Sequence, residues 1–269
     1  MIDCSEHYFL WESHTIKSPW IGFIHFVDNL PSNIYPQFET LSGLILSNTF
    51  QESLKYCLGL IVLSRNSAIN LRKFQLGIPI KALLHPIGMS CVDIDIEQKS
   101  INNIVLLGQQ YRKISTIFKL QTTKNKIWLP GMDPRSRRMK TMLQRENLDP
   151  ISSNVTIKYV QSDEYKQILR ESLVIIDLWD AAANNAVLDA ISCATPILVR
   201  RLPAVVEYLG REYPLYFDEL FDLNVFIERI TIKDLQLAKD HIRSMNREKF
   251  TIDKFLSGLK STVQFLASA

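Results

Sequence analysis

Ser172–Gly210, SLVIIDLWDAAANNAVLDAISCATPILVRRLPAVVEYLG, is the stretch of sequence that decides the fold. Leu173–Leu178 is a mostly apolar run whose length and β-branched content suit a strand buried on both faces. Asn184 or Asn185 is placed to cap a helix whose apolar residues recur every three or four positions. Thr195-Pro196 ends that helix, and a second apolar run follows. The stretch therefore predicts a right-handed parallel crossover of strand, helix and strand.

A crossover of this kind binds ligands at a known place. The crevice lies at the carboxyl ends of the strands, where helix N-termini present unpaired backbone N–H groups and a partial positive charge. Anions such as a diphosphate suit that environment.

The rest of the chain repeats the same rhythm in two blocks. In the first block we expect strands at Ile21–Val27 and Leu44–Leu46, and then the buried strands that begin at Gly59 and Ile80. The second block starts near Asn103 with a strand that ends in Gly108, and further strands and helices follow it. One of these helices is expected to open at Asp133, with a proline at its first position. The predicted fold class is α/β, with two parallel-sheet domains.

Two sets of motifs stand out in the chain. Asp189-Ala190 lies inside the helix, and it is followed by ATPILV at 194–199 and by Glu207 after a Pro-containing loop. This set resembles the donor-binding core of GT-B glycosyltransferases. Asn70-Leu71 and the His85-Pro86 turn resemble the end of a GT-B N-terminal domain. The resemblance implies two Rossmann-like domains with a cleft between them, the N-terminal domain being reduced.

The resemblance implies roles for individual residues in the second block. The position of Asp189 holds the ribose hydroxyls of a nucleotide sugar, and the loop with Asn184 and Asn185 lies along the diphosphate. Arg112 and Lys113 approximately take the places of the basic residues that contact the donor phosphates after the strand ending in Gly108. Guanidinium and ammonium groups at those places would stabilise a leaving diphosphate.

The sequence departs from the family pattern at three points. Ala181 stands where retaining members carry a second glutamate, and Asp180 is one position out of register. Gln109 replaces the basic residue directly after the glycine, and Ala-Ala-Asn-Asn at 182–185 replaces the glycine-rich loop. A purely structural crossover helix with a solvated Asp189 is the alternative interpretation.

Two residues of the first block are candidates for the catalytic base. An inverting transferase needs a base to take the proton of the acceptor hydroxyl, and His25 and Asp28 lie near the carboxyl end of the first strand. A packed strand histidine and a turn aspartate are the alternatives, and a retaining enzyme has no such need.

Two further charged motifs have structural alternatives. Asp93-Ile94-Asp95 spells a metal-binding Asp-x-Asp signature, but its alternation with apolar residues equally describes an edge strand, and no metal ligand is assigned. The basic cluster Arg135, Arg137, Arg138 and Lys140 could contact a nucleotide or form a solvated helix face.

Composition excludes several classes of protein. The chain has 269 residues, 46% of them hydrophobic, and a net charge of +3, which is too small to indicate nucleic-acid binding. No apolar run reaches the roughly 18 residues needed to span a bilayer, and no secretory signal is visible. The cysteines, at positions 4, 57, 91 and 193, have no paired or metal-like spacing, which indicates a reducing compartment. We therefore expect a cytoplasmic protein.

Three domain segments are expected. Residues 1–95 form a reduced acceptor domain, residues 96–245 form the donor domain, and residues 246–269 form a helix that crosses back to the first domain. Too few residues precede Ile21 for a full GT-B N-terminal domain. The chain is therefore either a reduced enzyme or part of a longer multidomain polypeptide.

The sequence thus predicts a glycosyltransferase that moves a sugar from a nucleotide-diphosphate sugar, with UDP-sugars favoured, to a glycan acceptor hydroxyl. The nucleotide sugar is a co-substrate, and no cofactor or metal is expected to be obligatory. A nucleotide-sugar epimerase of the same architecture and a non-catalytic module of a larger glycan-assembly protein are the alternatives.

Overall fold

Two parallel β-sheets form the framework of the chain, so the α/β fold class is confirmed. The computed structural model describes residues 1–88, 95–151 and 153–268. Asp93 and Ile94 of the Asp-x-Asp motif lie outside the described residues. The chain divides into a first unit, made of residues 1–87, 180–183 and 246–269, and a second unit, made of residues 88–179 and 184–245.

The first unit has a three-stranded parallel sheet in the order β1-β2-β3. Its strands are β1 (Trp20–Ile24), β2 (Cys57–Val62) and β3 (Ile80–Ala82). Its helices are α1 (Leu41–Leu46), α2 (Asn48–Leu54), α3 (Arg65–Arg72) and α11 (Ile252–Ser268). A Cβ at Gly59 would lie 2.5 Å from a methyl group of Leu266, so α11 packs directly on β2 because residue 59 is a glycine.

The second unit has a six-stranded parallel sheet in the order β6-β5-β4-β7-β8-β9. Its strands are β4 (Ser100–Leu107), β5 (Asn125–Leu129), β6 (Val155–Ile157), β7 (Ser172–Ile176), β8 (Ile197–Arg200) and β9 (Tyr216–Phe217). Its helices are α4 (Ser115–Lys119), α5 (Arg137–Arg145), α6 (Ser162–Glu171), α7 (Asn185–Ser192), α8 (Pro203–Leu209), α9 (Leu220–Arg229) and α10 (Ile232–Ser244). The strand order reverses between β4 and β7, and open α/β sheets bind ligands at such a switch point.

The crossover predicted from Ser172–Gly210 is present as β7, α7 and β8. Every residue of β7 is buried, as expected for a strand covered on both faces. The Asn184 side chain caps α7 by accepting a hydrogen bond from the Val187 N–H at 3.2 Å. The helix ends at Ser192, and Ala194 adopts a left-handed φ of 48° before the chain enters β8.

Two local predictions are wrong. Leu44–Leu46 is not a strand but the end of α1, which Thr40 caps by accepting the N–H of Gly43 at 3.1 Å. The helix expected to open at Asp133 begins at Arg137, because the Ser136 hydroxyl caps it at the Met139 N–H. In both cases a local side-chain cap decides the boundary.

A buried ion pair joins the carboxyl ends of β7 and β8. Asp177 is fully buried, and its Oδ1 lies 2.5 Å from Nε of Arg200. The Thr116 hydroxyl donates to the other carboxylate oxygen at 2.6 Å, so the pair also holds the start of α4. Removing one partner of a buried pair leaves an uncompensated charge in the interior.

We predict that Asp177→Ala lowers the free energy of unfolding by about 3 kcal/mol or more, because Arg200 and Thr116 lose their acceptor. Urea denaturation of this variant and of Asp133→Ala measures the effect. Asp133 forms an ion pair with the exposed Arg135, and its removal should leave the denaturation midpoint almost unchanged. Equal midpoints for the two variants contradict a stabilising role for the Asp177 network.

Candidate functional site

A cavity of about 330 Å³ lies in the second unit, at the carboxyl ends of β4, β5 and β6. The N-terminal residues of α6 and α7 lie on its wall, so two helix N-termini face the same space. Its lining residues are Leu107, Gly108, Arg112, Leu129, Gly131, Lys158, Val160, Gln161, Ser162, Tyr165, Asn185, Ala186 and Asp189. This is where the strand order predicts a ligand site.

Arg112 is the buried cation of this cavity. Its guanidinium donates to the Leu107 carbonyl at 2.6 Å, to the Gln110 carbonyl at 3.1 Å and to Oδ1 of Asn184 at 3.1 Å. The side chain is 5% exposed. The hydrogen bonds therefore connect the end of β4 with the residue that caps α7.

Gly108 makes room for this guanidinium. Its φ of +80° lies in the left-handed region, and a Cβ at this position would lie 2.9 Å from Nη2 of Arg112. A side chain at residue 108 would therefore be strained and would collide with Arg112.

The loop that carries Arg112 is held at several points. Arg112 forms an isolated antiparallel bridge with Leu178, and the N–H of Lys113 donates to the carbonyl of Asp177 at 3.0 Å. The Glu146 carboxylate accepts the N–H groups of Ile114 and Ser115 at 3.1 and 2.7 Å. A loop restrained in this way presents a fixed charge to the cavity.

Lys113 is placed differently from Arg112. Its ammonium lies 4.8 Å from the ring centroid of Trp179, in cation–π contact, and it is not among the residues that line the cavity. The structure therefore brings together Gly108, Arg112, Asn184, Asn185 and Asp189, with Lys113 beside them on the same loop.

Asp189 is a partly buried carboxylate on α7. The Tyr165 hydroxyl donates to its Oδ2 at 3.0 Å. Burial raises the pKa of Asp189 above 3.8, and the Tyr165 hydrogen bond partly offsets this effect. The pKa of Tyr165 is itself raised by burial and by Asp189, so the phenol remains a donor. A carboxylate at a cavity wall can accept hydrogen bonds from both hydroxyl groups of a vicinal diol.

Several lining residues were not identified from the sequence. Lys158 is one of them: β6 ends at Ile157, and residues 158–161 form a loop before α6 that reaches the cavity. No sequence pattern indicates Tyr165 as a site residue, because its hydrogen-bond partner Asp189 is 24 positions away in the chain. None of Arg135, Arg137, Arg138 and Lys140 is among the described residues that line this cavity.

His25 lies just after β1 in the first unit, beside the buried carboxylate of Glu6. Its Nδ1 is 3.3 Å from Oε2 of Glu6. Burial lowers the pKa of His25, but hydrogen bonds with Cys4 and Glu6 and the charge of Glu6 raise it by more, to about 10. The Glu6 carboxylate therefore favours the protonated form of this imidazole.

Asp28 and Asp180 line a second, smaller cavity in the first unit. Oδ1 of Asp28 accepts the N–H and the hydroxyl of Ser42 at 2.9 and 2.6 Å. The Asp180 carboxylate accepts the N–H groups of Ala181 and Asn29 at 2.8 and 3.2 Å, and burial raises its pKa above 3.8. The nearby Ala181 is buried and carries no polar side chain.

Two cysteines in the described part of the chain carry free thiols. Cys4 is partly exposed, and Cys57 is buried. No helix in the described part of the chain is long and apolar enough to cross a membrane.

Comparisons with known proteins identify the fold. No family model and no curated protein matches the sequence. The structure is similar to sucrose-phosphate synthase from Thermosynechococcus elongatus, with 14% identity and a TM-score of 0.68, over 99% of this chain and 73% of that one. HepE from Anabaena, solved with UDP and glucose, has 12% identity and a TM-score of 0.61, over 91% and 71% of the two chains.

A UDP-forming α,α-trehalose-phosphate synthase from Burkholderia vietnamiensis is also similar, with 8% identity and a TM-score of 0.57, over 96% of this chain and 72% of that one. These structures are GT-B glycosyltransferases, and the chain therefore has the GT-B fold that its motifs resemble.

We predict that Tyr165→Phe raises the pKa of Asp189 further, because the lost hydrogen bond favours the ionised carboxylate. The carboxyl carbon chemical shift of Asp189, followed by NMR against pH, measures this pKa. Tyr159→Phe removes the hydroxyl of an exposed tyrosine and should leave the titration unchanged. An unchanged or lower pKa in Tyr165→Phe contradicts the assigned hydrogen bond.

Proposed function

We propose that the chain is a glycosyltransferase whose second unit binds a nucleotide-diphosphate sugar. The observation that carries the proposal is the cavity at the β4–β7 switch point, where Arg112, the capped N-terminus of α7 and Asp189 come together. A cation, helix N–H groups and a carboxylate are the complements of a diphosphate and a ribose diol.

Each of these groups has a role in donor binding. The Asp189 carboxylate accepts hydrogen bonds from the ribose hydroxyls. The N–H groups at the start of α7, near Asn184 and Asn185, bind the diphosphate. Gly108 leaves the approach to the phosphates open, and the charge of Arg112 stabilises the leaving diphosphate. Lys113 adds a second positive charge from the same loop. These groups take the part that a metal plays in other transferases, so donor binding requires no metal ion.

The first unit supplies the acceptor site and, for an inverting reaction, the base. Asp28 is better suited than His25, because Nδ1 of His25 lies 3.3 Å from the buried Glu6 carboxylate, whereas Asp28 lines the smaller cavity of the first unit. In an inverting reaction a base takes the proton of the acceptor hydroxyl as the hydroxyl oxygen attacks the anomeric carbon, and Asp28 is the candidate for that base. The bond from that carbon to the diphosphate oxygen breaks, and the nucleoside diphosphate leaves with the electron pair.

UDP is the favoured nucleotide. HepE was solved with UDP and glucose, and the trehalose-phosphate synthase is UDP-forming. The fold shared with these proteins supports a UDP-sugar as co-substrate, with a glycan hydroxyl as acceptor. We place the reaction in the cytoplasm, where nucleotide sugars are made.

We predict that UDP binds the wild-type protein and that Asp189→Ala weakens binding roughly tenfold, because a charged acceptor of two hydroxyl groups is lost. Calorimetric titration with UDP, GDP, dTDP and CMP, with and without Mg²⁺, measures the affinities and identifies the base. Glu171→Ala removes an exposed carboxylate at the other end of α6 and serves as the control.

Other outcomes would replace the proposed function. Equal UDP affinity in Asp189→Ala and wild type removes the ribose assignment. Absence of binding by all four nucleotides favours a non-catalytic module. Conversion of a nucleotide sugar without any acceptor favours an epimerase.

A further inference from the structure

Cys4, Glu6 and His25 form a cluster of three metal-ligating side chains in the first unit. One ligand atom from each, a thiol sulfur, a carboxylate oxygen and an imidazole nitrogen, lies within 4.8 Å of the other two. Oε2 of Glu6 is 3.4 Å from Sγ of Cys4 and 3.3 Å from Nδ1 of His25. We propose that this cluster is a binding site for Zn²⁺.

Two of the three separations between ligand atoms match those around a tetrahedral metal ion. With usual zinc–ligand bond lengths, adjacent ligand atoms in a tetrahedron are separated by roughly 3.6 Å for sulfur and oxygen and roughly 3.4 Å for oxygen and nitrogen. The two separations measured from Oε2 agree with these values to within about 0.2 Å. Glu6 therefore needs little movement to bind a metal ion, and the Cys4 sulfur and the His25 ring nitrogen lie within 4.8 Å of each other on either side of it.

The Glu6 carboxylate is positioned before any metal binds. The side chain is 1% exposed, and its Oε1 accepts the backbone N–H groups of His25 and Phe26, the second at 2.7 Å. Oε2 is thereby aimed at His25 and Cys4. Hydrogen bonds that fix a ligating carboxylate in this way are typical of the outer shell of metal sites.

Backbone pairing brings the three ligands to the same end of β1. Ile2 forms a parallel bridge with Gly22, so the N-terminal segment runs beside β1 in the same direction. Cys4 and Glu6 therefore lie near the carboxyl end of the strand. His25 is the first residue after β1. The site therefore joins the start of the chain to the carboxyl end of this strand, independently of the donor cavity.

The donor set favours zinc. A thiolate combined with imidazole and carboxylate ligands suits Zn²⁺ and excludes Mg²⁺ and Ca²⁺, which prefer oxygen ligands. Three protein ligands leave the fourth position to water. Binding requires Cys4 as the thiolate and His25 as the neutral imidazole, so protons are released to solvent. A metal-bound His25 is not a free base, which agrees with the assignment of that role to Asp28.

Cobalt provides a spectroscopic test. Tag-free protein, stripped of metal with a chelator, is titrated with Co²⁺, and Zn²⁺ is then added in competition. We expect a near-ultraviolet thiolate-to-cobalt charge-transfer band that saturates at one equivalent and disappears on addition of Zn²⁺. Cys4→Ser should abolish the band. His25→Gln should lower the Zn²⁺ affinity roughly 100-fold or more, because loss of a ligand costs at least as much affinity as loss of a residue that only hydrogen-bonds to a ligand.

His14→Gln is the matched control. His14 is an exposed imidazole paired with Glu12 in the same N-terminal region, and its removal should leave the band and the affinity unchanged. Absence of the band in the folded wild-type protein overturns the proposal, whatever the variants do. So does a band that persists in Cys4→Ser, or an equal loss of affinity in His14→Gln and His25→Gln. The readout needs no nucleotide, so it stands or falls separately from glycosyl transfer.

Discussion

The hydrogen bonds of the Arg112 guanidinium are the interaction on which the candidate site depends. The cation is almost fully buried, and its acceptors are the Leu107 carbonyl at the end of β4, the Gln110 carbonyl in the following loop and the carboxamide oxygen of Asn184. The same carboxamide oxygen accepts the Val187 N–H and so begins α7. One side chain thus connects the strand, the loop and the helix N-terminus that surround the cavity. A buried charge is tolerated only with such compensation, which makes the arrangement specific.

The surrounding network restrains this cation from two further sides. Asp177 accepts the Thr116 hydroxyl and pairs with Arg200, so the end of β7 is bound both to α4 and to β8. Glu146 on the segment after α5 caps the start of α4. These buried polar groups serve mainly to fix the geometry, because hydrophobic side chains in their place could stabilise the fold equally well without orienting Arg112. Preorganised charge is the means by which such a site would stabilise a leaving diphosphate.

The strand and helix pattern of the second unit could be predicted from local sequence. The apolar run of β7 and the cap at Asn184 are decided within a few residues, and the structure confirms them. Leu44–Leu46 was ambiguous, because a short apolar run suits a strand or a buried helix turn equally, and the Thr40 cap decides for the helix. Predicting the partners of Tyr165, Glu6 and Asp180 was not possible. Each partner is brought near by the fold and leaves no periodic signal in the sequence.

The most direct test of this account is calorimetric titration of UDP into Arg112→Ala. Arg112→Lys keeps a charge but not the planar set of donors, and Arg135→Ala removes an exposed arginine on the same unit. We expect UDP binding to weaken at least tenfold, or about 1.4 kcal/mol, in both Arg112 variants and to be unchanged in Arg135→Ala. UDP affinity in Arg112→Ala equal to that of the wild type, in a protein that remains folded, would contradict the central role of Arg112.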